Sequence, residues 1–357
     1  MKFGTLVMPR PGRAAADARY AESRGFAEAW FPDSHMIYGD VYACMALAAS
    51  ATGKIRIGTG ISVASNRIAA VTAHSIATIN EIAPGRVDLG FGAGHTGRRV
   101  MGLKPVKHAE FREETRVIHD LLKRGETTSH LEGIDRKIRF LNRDRHFINL
   151  DPPIPLYVAA NAPKALALAG EFGDGIMTGR VTTPARTEAI FAQAGAGARA
   201  AGRPWNGRMP CVSLTHICVL RPGEAVDSPR VVDMTGHWVA AALHGVAAGY
   251  VNALTIPPDA RPVFEAYAEA FARMEIPADE RHLHLHRGHV IYLLPEERRF
   301  ITAEAIRSTT LVGSRDELIE QIRALEKAGL DQLVINPPLD RYEECLDEIS
   351  RELIDRL

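Results

Sequence analysis

The feature that most limits how this chain can fold is a regular alternation of short apolar runs with longer amphipathic stretches. Eight runs read as strands, at residues 2–8, 27–31, 56–63, 87–92, 155–160, 175–179, 216–220 and 332–336. Several are nearly continuous in apolar residues, as parallel strands covered on both faces are. Helical patterns lie between them at 14–24, 42–51, 71–82, 110–123, 163–171, 184–201 and 316–327. In the last, Leu318, Ile322 and Leu325 recur at helical spacing, Ser314 with Glu317 forms a capping box, and Gly329 closes the turn. Strand–helix repetition of this kind specifies a parallel α/β fold. Eight repeats favour a closed (β/α)8 TIM barrel over an open doubly wound sheet.

Two stretches break the rhythm, at about 104–151 and 222–310. The first holds a helix and then a polar, β-tending segment, 136–150. The second holds helical material at 231–243 and 262–274, followed by the histidine-rich run 281–289. Insertions of this length in a barrel usually cover the active site. The expected organisation is one domain, 1–357, with two insertions. Acidic and basic residues balance at 43 each, so no net field draws the chain to nucleic acid or an anionic membrane. Cys44, Cys211, Cys218 and Cys345 are scattered, as buried apolar residues are, and do not form zinc or disulfide spacings. The start of the chain lacks the long apolar core of a secretory signal, and no run is long enough to span a bilayer. The expected compartment is the cytoplasm.

Barrel chemistry sits where strands end and loops begin. After the second strand, 31–40 packs carboxylate, hydroxyl, imidazole and phenol into one loop, with Asp33 and His35 the candidates. The third strand carries Gly58 and Gly60, which point to a bulge or to something flat pressed against the backbone. After the fourth, Gly92, Gly94 and Gly97 satisfy a dinucleotide fingerprint. The motif lies mid-chain, however, and lacks the acidic residue on a following strand, so a glycine lip against a planar ring is the better reading. After the fifth, Asn161-Ala162-Pro163-Lys164 opens a helix with proline in its first turn, a start suited to phosphate. The sixth ends at Thr178-Gly179-Arg180, which can close on the same group.

Together these stretches resemble the bacterial luciferase-like flavin- and F420-dependent oxidoreductases, in particular the methylenetetrahydromethanopterin reductase branch. The resemblance rests on Pro32-Asp33-Ser34-His35 with Asp40-Val41-Tyr42, and on 57–62. It rests also on Pro84-Gly85-Arg86 with 89–94, and on 157–164 with Gly173-Asp174-Gly175. It implies F420 or FMN at the strand ends of a barrel that is often dimeric. It also implies a non-prolyl cis bulge at Gly60-Ile61 behind the ring. The implied cofactor contacts are Gly60, Ile61, Ser62, Gly92, Gly94, Ala160, Asn161, Ala162, Pro163 and Gly179. His35 falls beside the ring with Asp33 near it, and His95 stands where some relatives carry a catalytic carboxylate. Ser34 separates Asp33 from His35, where several F420 enzymes have the two adjacent.

The expected activity is hydride transfer between the cofactor and a small organic substrate. His35, His95 and Asp33 are its catalytic candidates, and Arg67, His286 and His289 its substrate contacts. Arg67 can equally pair with an acidic neighbour. The alternation of His282, His284 and His286 reads as a half-buried strand lining the pocket rather than as a metal site. Trp30, Trp205 and Trp238 read as packing residues. The rivals are an FMN-dependent monooxygenase supplied by a separate flavin reductase, a flavin-binding relative without turnover, and a metal-dependent barrel hydrolase.

Overall fold

The computed structural model describes residues 1–357. Eight strands form a closed barrel: β1 (Lys2–Leu6), β2 (Glu28–Phe31), β3 (Arg56–Val63), β4 (Val87–Gly92), β5 (Leu156–Ala159), β6 (Gly175–Gly179), β7 (Cys211–Thr215) and β8 (Gln332–Ile335). Every barrel pairing is parallel, and β8 closes on β1 in the register Lys2↔Gln332 to Thr5↔Ile335. The main core lies between the strands and the surrounding helices, while Leu6, Met8, Trp30, Met177, Val212 and Val334 pack together as a second, small cluster. No helix is long and apolar enough to cross a membrane.

The glycines of β3 have a partner inside the protein. A Cβ on Gly58 would stand 2.5 Å from the Trp30 ring, and one on Gly60 would stand 2.9 Å from Trp30 Cβ. The flat object pressed against Gly58 is therefore an indole, whose Nε1–H donates to Gln332 Oε1 at 2.9 Å. Beyond it the Gly60–Ile61 peptide is cis, and the β3–β4 register shifts between Thr59 and Ser62.

Three expectations change. The seventh barrel strand is Cys211–Thr215 rather than 216–220; Ile217–Val219 leaves the barrel and pairs in parallel with Leu311–Gly313. Ser213 and Thr215 are wholly buried, so polar side chains inside the strand hid its apolar signature. The histidine run is a helix, Arg281–His286, not a strand. Alternation over six residues is too short to exclude helical geometry, and of this helix only Leu285 and His286 are buried. The segment after the first inserted helix (His108–Arg124) is an antiparallel hairpin that starts earlier than the polar pattern indicates, Glu126–Leu131 with Ile134–Arg139. The insertion between β7 and β8 contributes Pro229–Ala247 and Arg261–Ala272, both helical as expected.

Candidate active site

A cavity of about 730 Å³ opens where the strands end, within the range of small-molecule sites. Its wall draws on β3 (Gly60, Ile61, Val63), on the loop after β2 (Pro32, Asp33, Ser34, Tyr38) and on the segment after β4 (Ala93 to Thr96). Asn161, Ala162 and Lys164 follow β5, and Thr178 and Gly179 end β6. Both insertions reach it, the first through Pro105, Val106, His108 and Phe111, the second through Trp238, His289 and Val290. The bulge at Gly60–Ile61 in β3 and the turn at Asn161 thus share one chamber.

Local geometry keeps the slot open. A Cβ on Gly92 would fall 2.1 Å from Ile61 Cδ1 and 2.8 Å from Ala159 Cβ, so only glycine lets Ile61 lie where it does. Gly94 has φ +77°, and a Cβ there would meet Val63 Cγ1 at 2.3 Å. At the other end the Asn161 amide oxygen accepts from Thr178 Oγ1 at 2.8 Å and from Gly179 N–H at 3.1 Å. Arg186 Nη2 donates to the Asn161 carbonyl at 2.9 Å. Pro163 begins the helix Pro163–Phe172, whose first turn carries Lys164 on the cavity wall. The Tyr38 hydroxyl is buried against the cavity with no partner in the protein, and burial holds it protonated. A largely apolar chamber with a helix start and Lys164 on its wall and an orphaned phenol beside it fits a planar heterocycle bearing an anionic tail.

The three catalytic candidates separate. Asp33 borders the cavity, but its Oδ2 accepts from Arg67 Nη1 at 2.7 Å, Ser62 Oγ at 3.3 Å and Val63 N–H at 3.4 Å. Arg67 spans to Asp40 at 2.9 Å and covers the Tyr42 ring, whose hydroxyl donates to Ser62 at 3.1 Å. The acidic-neighbour alternative therefore describes Arg67, which does not line the cavity. His35 does not line it either; its Nδ1 accepts from Asn66 Nδ2 at 3.0 Å and its Nε2 faces Met101 Sδ. His95 does line it, exposed to the chamber, with its pKa lowered by the surrounding protein and then by Arg99.

Of the cofactor candidates, Ser62, Gly92, Ala160 and Pro163 lie behind the wall, and the others on it. His289 lines the chamber, whereas His286 stands behind it with its ring 5.2 Å away and its Nδ1–H on the His282 carbonyl at 2.7 Å. Arg180 turns from the Asn161 end and stacks on Trp238 at 4.8 Å, so Trp238 is a wall residue as well as a packing one. Sequence reasoning did not find Thr96, His244 or Glu297. Their spacing carries no motif, and only the packing of the second insertion against the segment after β4 gathers them.

A closed parallel barrel with a chamber at its carboxyl end, bordered by the Gly60–Ile61 bulge and covered by two insertions, has the architecture of a small-molecule barrel enzyme. The Luciferase-like monooxygenase family model matches residues 1–332. This chain belongs to that family. It is 29% identical over 373 aligned residues to the 5,10-methylenetetrahydromethanopterin reductase of Archaeoglobus fulgidus, covering 100% of both chains. It is 29% identical over 319 residues to the F420-dependent glucose-6-phosphate dehydrogenase of Beutenbergia cavernae, covering 87% of this chain and 80% of that one. The coenzyme F420-dependent tetrahydromethanopterin reductase structure from Methanopyrus kandleri superposes with a TM-score of 0.72 at 22% identity, over 99% of this chain and 98% of that one.

Proposed function

We propose that this chain is an F420-dependent oxidoreductase that passes a hydride between the deazaflavin and a small organic substrate in the chamber. The observation that carries the reading is the shared chamber itself, whose wall holds both the Gly60–Ile61 bulge and the Asn161 turn. Relatives named as F420-dependent and aligned over 87% and 86% of this chain favour F420 over FMN. When bound, the cofactor supplies the two-electron chemistry. Gly60, Ile61 and Gly94 would seat its ring, and Asn161, Ala162, Lys164 and Gly179 its phosphate. Asp33 anchors the loop after β2 through Arg67, and Ser62 and Gly92 support the bulge from behind. His95, neutral near pH 7, would face the substrate, and the insertions exclude water.

The reading places a single-domain enzyme in the cytoplasm as a homodimer. Leu47, Ile68, Val71 and Ile82 are exposed on or beside the neighbouring helices Val41–Ala51 and Ala69–Ile82, an apolar face suited to a second copy. The second reading is an FMN-dependent monooxygenase supplied by a separate flavin reductase. Titration of the purified protein, followed by cofactor fluorescence, separates them. F420 should bind at least about tenfold more tightly than FMN, a difference of about 1.4 kcal/mol. Tighter FMN binding would favour the monooxygenase, and binding of neither would end the proposal.

A further inference from the structure

The second insertion buries an acid and two imidazoles in a row that ends at the chamber. Glu297 Oε1 accepts from Tyr267 OH at 2.9 Å and lies 2.5 Å from His244 Nε2. His244 Nδ1 lies 3.5 Å from His289 Nδ1, with the ring centroids 5.8 Å apart and the ring planes inclined by 27°. His289 Nε2 is 3.2 Å from Thr96 Oγ1, and both of these residues line the cavity. Glu297, His244 and His289 are all buried.

For a neutral His244 beside an ionised Glu297, donor and acceptor counting allows one tautomer chain. An ionised carboxylate only accepts, so His244 Nε2 carries the proton and its Nδ1 is a bare lone pair. His289 must then donate from Nδ1, which leaves its Nε2 lone pair facing the Thr96 hydroxyl. We propose that His289, with Thr96, is a proton-transfer group of this site, and that His244 and Glu297 are positioning residues that hold its tautomer. As an O–H or N–H bond of the substrate breaks, its proton passes to Thr96 Oγ1. The hydroxyl's own proton moves to His289 Nε2, and the neighbouring C–H electron pair leaves with the hydride for the redox cofactor. The reverse direction returns each proton along the same path.

The groups packed around His289 are His244, His286, Arg180 and Thr96, from four different segments. Burial first, then the two imidazoles and the guanidinium, lower its pKa well below the usual value. It therefore enters the reaction neutral. This assignment rests on reading the chamber as the redox site, but its central test needs no cofactor.

The test is ¹⁵N NMR of histidine-labelled protein, with His289 assigned by its loss in His289→Gln. In the wild type Nδ1 should be protonated and Nε2 bare in at least about nine-tenths of molecules near pH 7. His244→Phe and Glu297→Gln should each raise the Nε2-protonated fraction to about half, while Thr96→Val leaves it unchanged. His244→Leu, which likewise removes the acceptor, replaces the phenylalanine variant if that one does not fold. An imidazolium or a protonated Nε2 at His289 in the wild type would overturn the proposal. So would an unchanged tautomer in the folded His244 and Glu297 variants. On a substrate turned over with F420, Thr96→Val and His289→Gln should cut kcat about 100-fold with KM nearly unchanged. A raised KM with intact kcat would assign His289 to binding alone and refute the transfer role. Failure of F420 to bind would leave the tautomer result standing, so the two readings fail separately.

Discussion

Asp33 and Asp40 flank one guanidinium, yet their surroundings give them different weight. The Asp33 side chain is 2% exposed and that of Asp40 is 54% exposed. Removing Asp33 leaves a largely buried Arg67 with only a solvent-screened partner. Asp33→Ala should therefore lower unfolding stability by about 3 kcal/mol, while Asp40→Ala should cost less than about 1 kcal/mol beyond its helix cap. Urea denaturation of the two variants checks the contrast, and equal losses would contradict it. Single residues of this kind were only partly legible in the sequence. The loop 31–40 announced its chemistry by its density of polar groups. Which of those groups face the chamber depended on Arg67 reaching back 34 residues to Asp33, which no local pattern encodes.

At the scale of elements, period and punctuation carried most of the fold. Seven of the eight barrel strands were found because their apolar runs are bounded by turns. The capping box was visible as Ser314 and Glu317, and the Glu317 carboxylate accepts from the Ser314 N–H at 2.8 Å. β7 escaped because Ser213 and Thr215 are polar residues buried within the barrel strand, and the helix Arg281–His286 escaped because six residues cannot establish a period. Small residues have a packing reason that sequence alone did not disclose. Helices Pro163–Phe172 and Pro184–Ala200 approach so closely that a Cβ on Gly170 would lie 1.8 Å from the Ala194 carbonyl oxygen. A Cβ on Gly197 would lie 1.9 Å from that of Ala167. Gly197→Ala must push backbone from backbone and should destabilise by about 1–3 kcal/mol. Gly197 itself does not line the chamber, so cofactor affinity should hold within about twofold. A thermal melt and a titration on the same variant check both halves.

The whole molecule carries a pH signature from its buried imidazoles. His216, immediately after β7, and His237, on Pro229–Ala247, lie fully inside the protein in an edge-to-face pair, with His237 Nε2 2.9 Å from the Asn336 carbonyl. Burial pushes the pKa of His216 down to about 3 and that of His237 to about 4. Folded, each stays neutral, whereas in the unfolded chain each takes a proton below about 6.5. Their contribution is thus complete above about pH 6.5 and drains away as pH falls toward about 4. Each group removes up to about 1.4 kcal/mol per pH unit across that window. Denaturation at about pH 7 and about pH 5 should show the lower value at acid pH; equal stabilities would mean that these rings are not buried as described.

Barrel closure joins the scales, because it brings a bulge on β3, a turn after β5 and two distant insertions to one chamber. A crystal structure of the protein with F420 tests that convergence most directly. The account predicts the deazaflavin ring against Gly60–Ile61, its phosphate at the Asn161 turn, and His95 and His289 facing the open side. Density for the cofactor anywhere else on the molecule, or a ring turned away from that peptide, would contradict it.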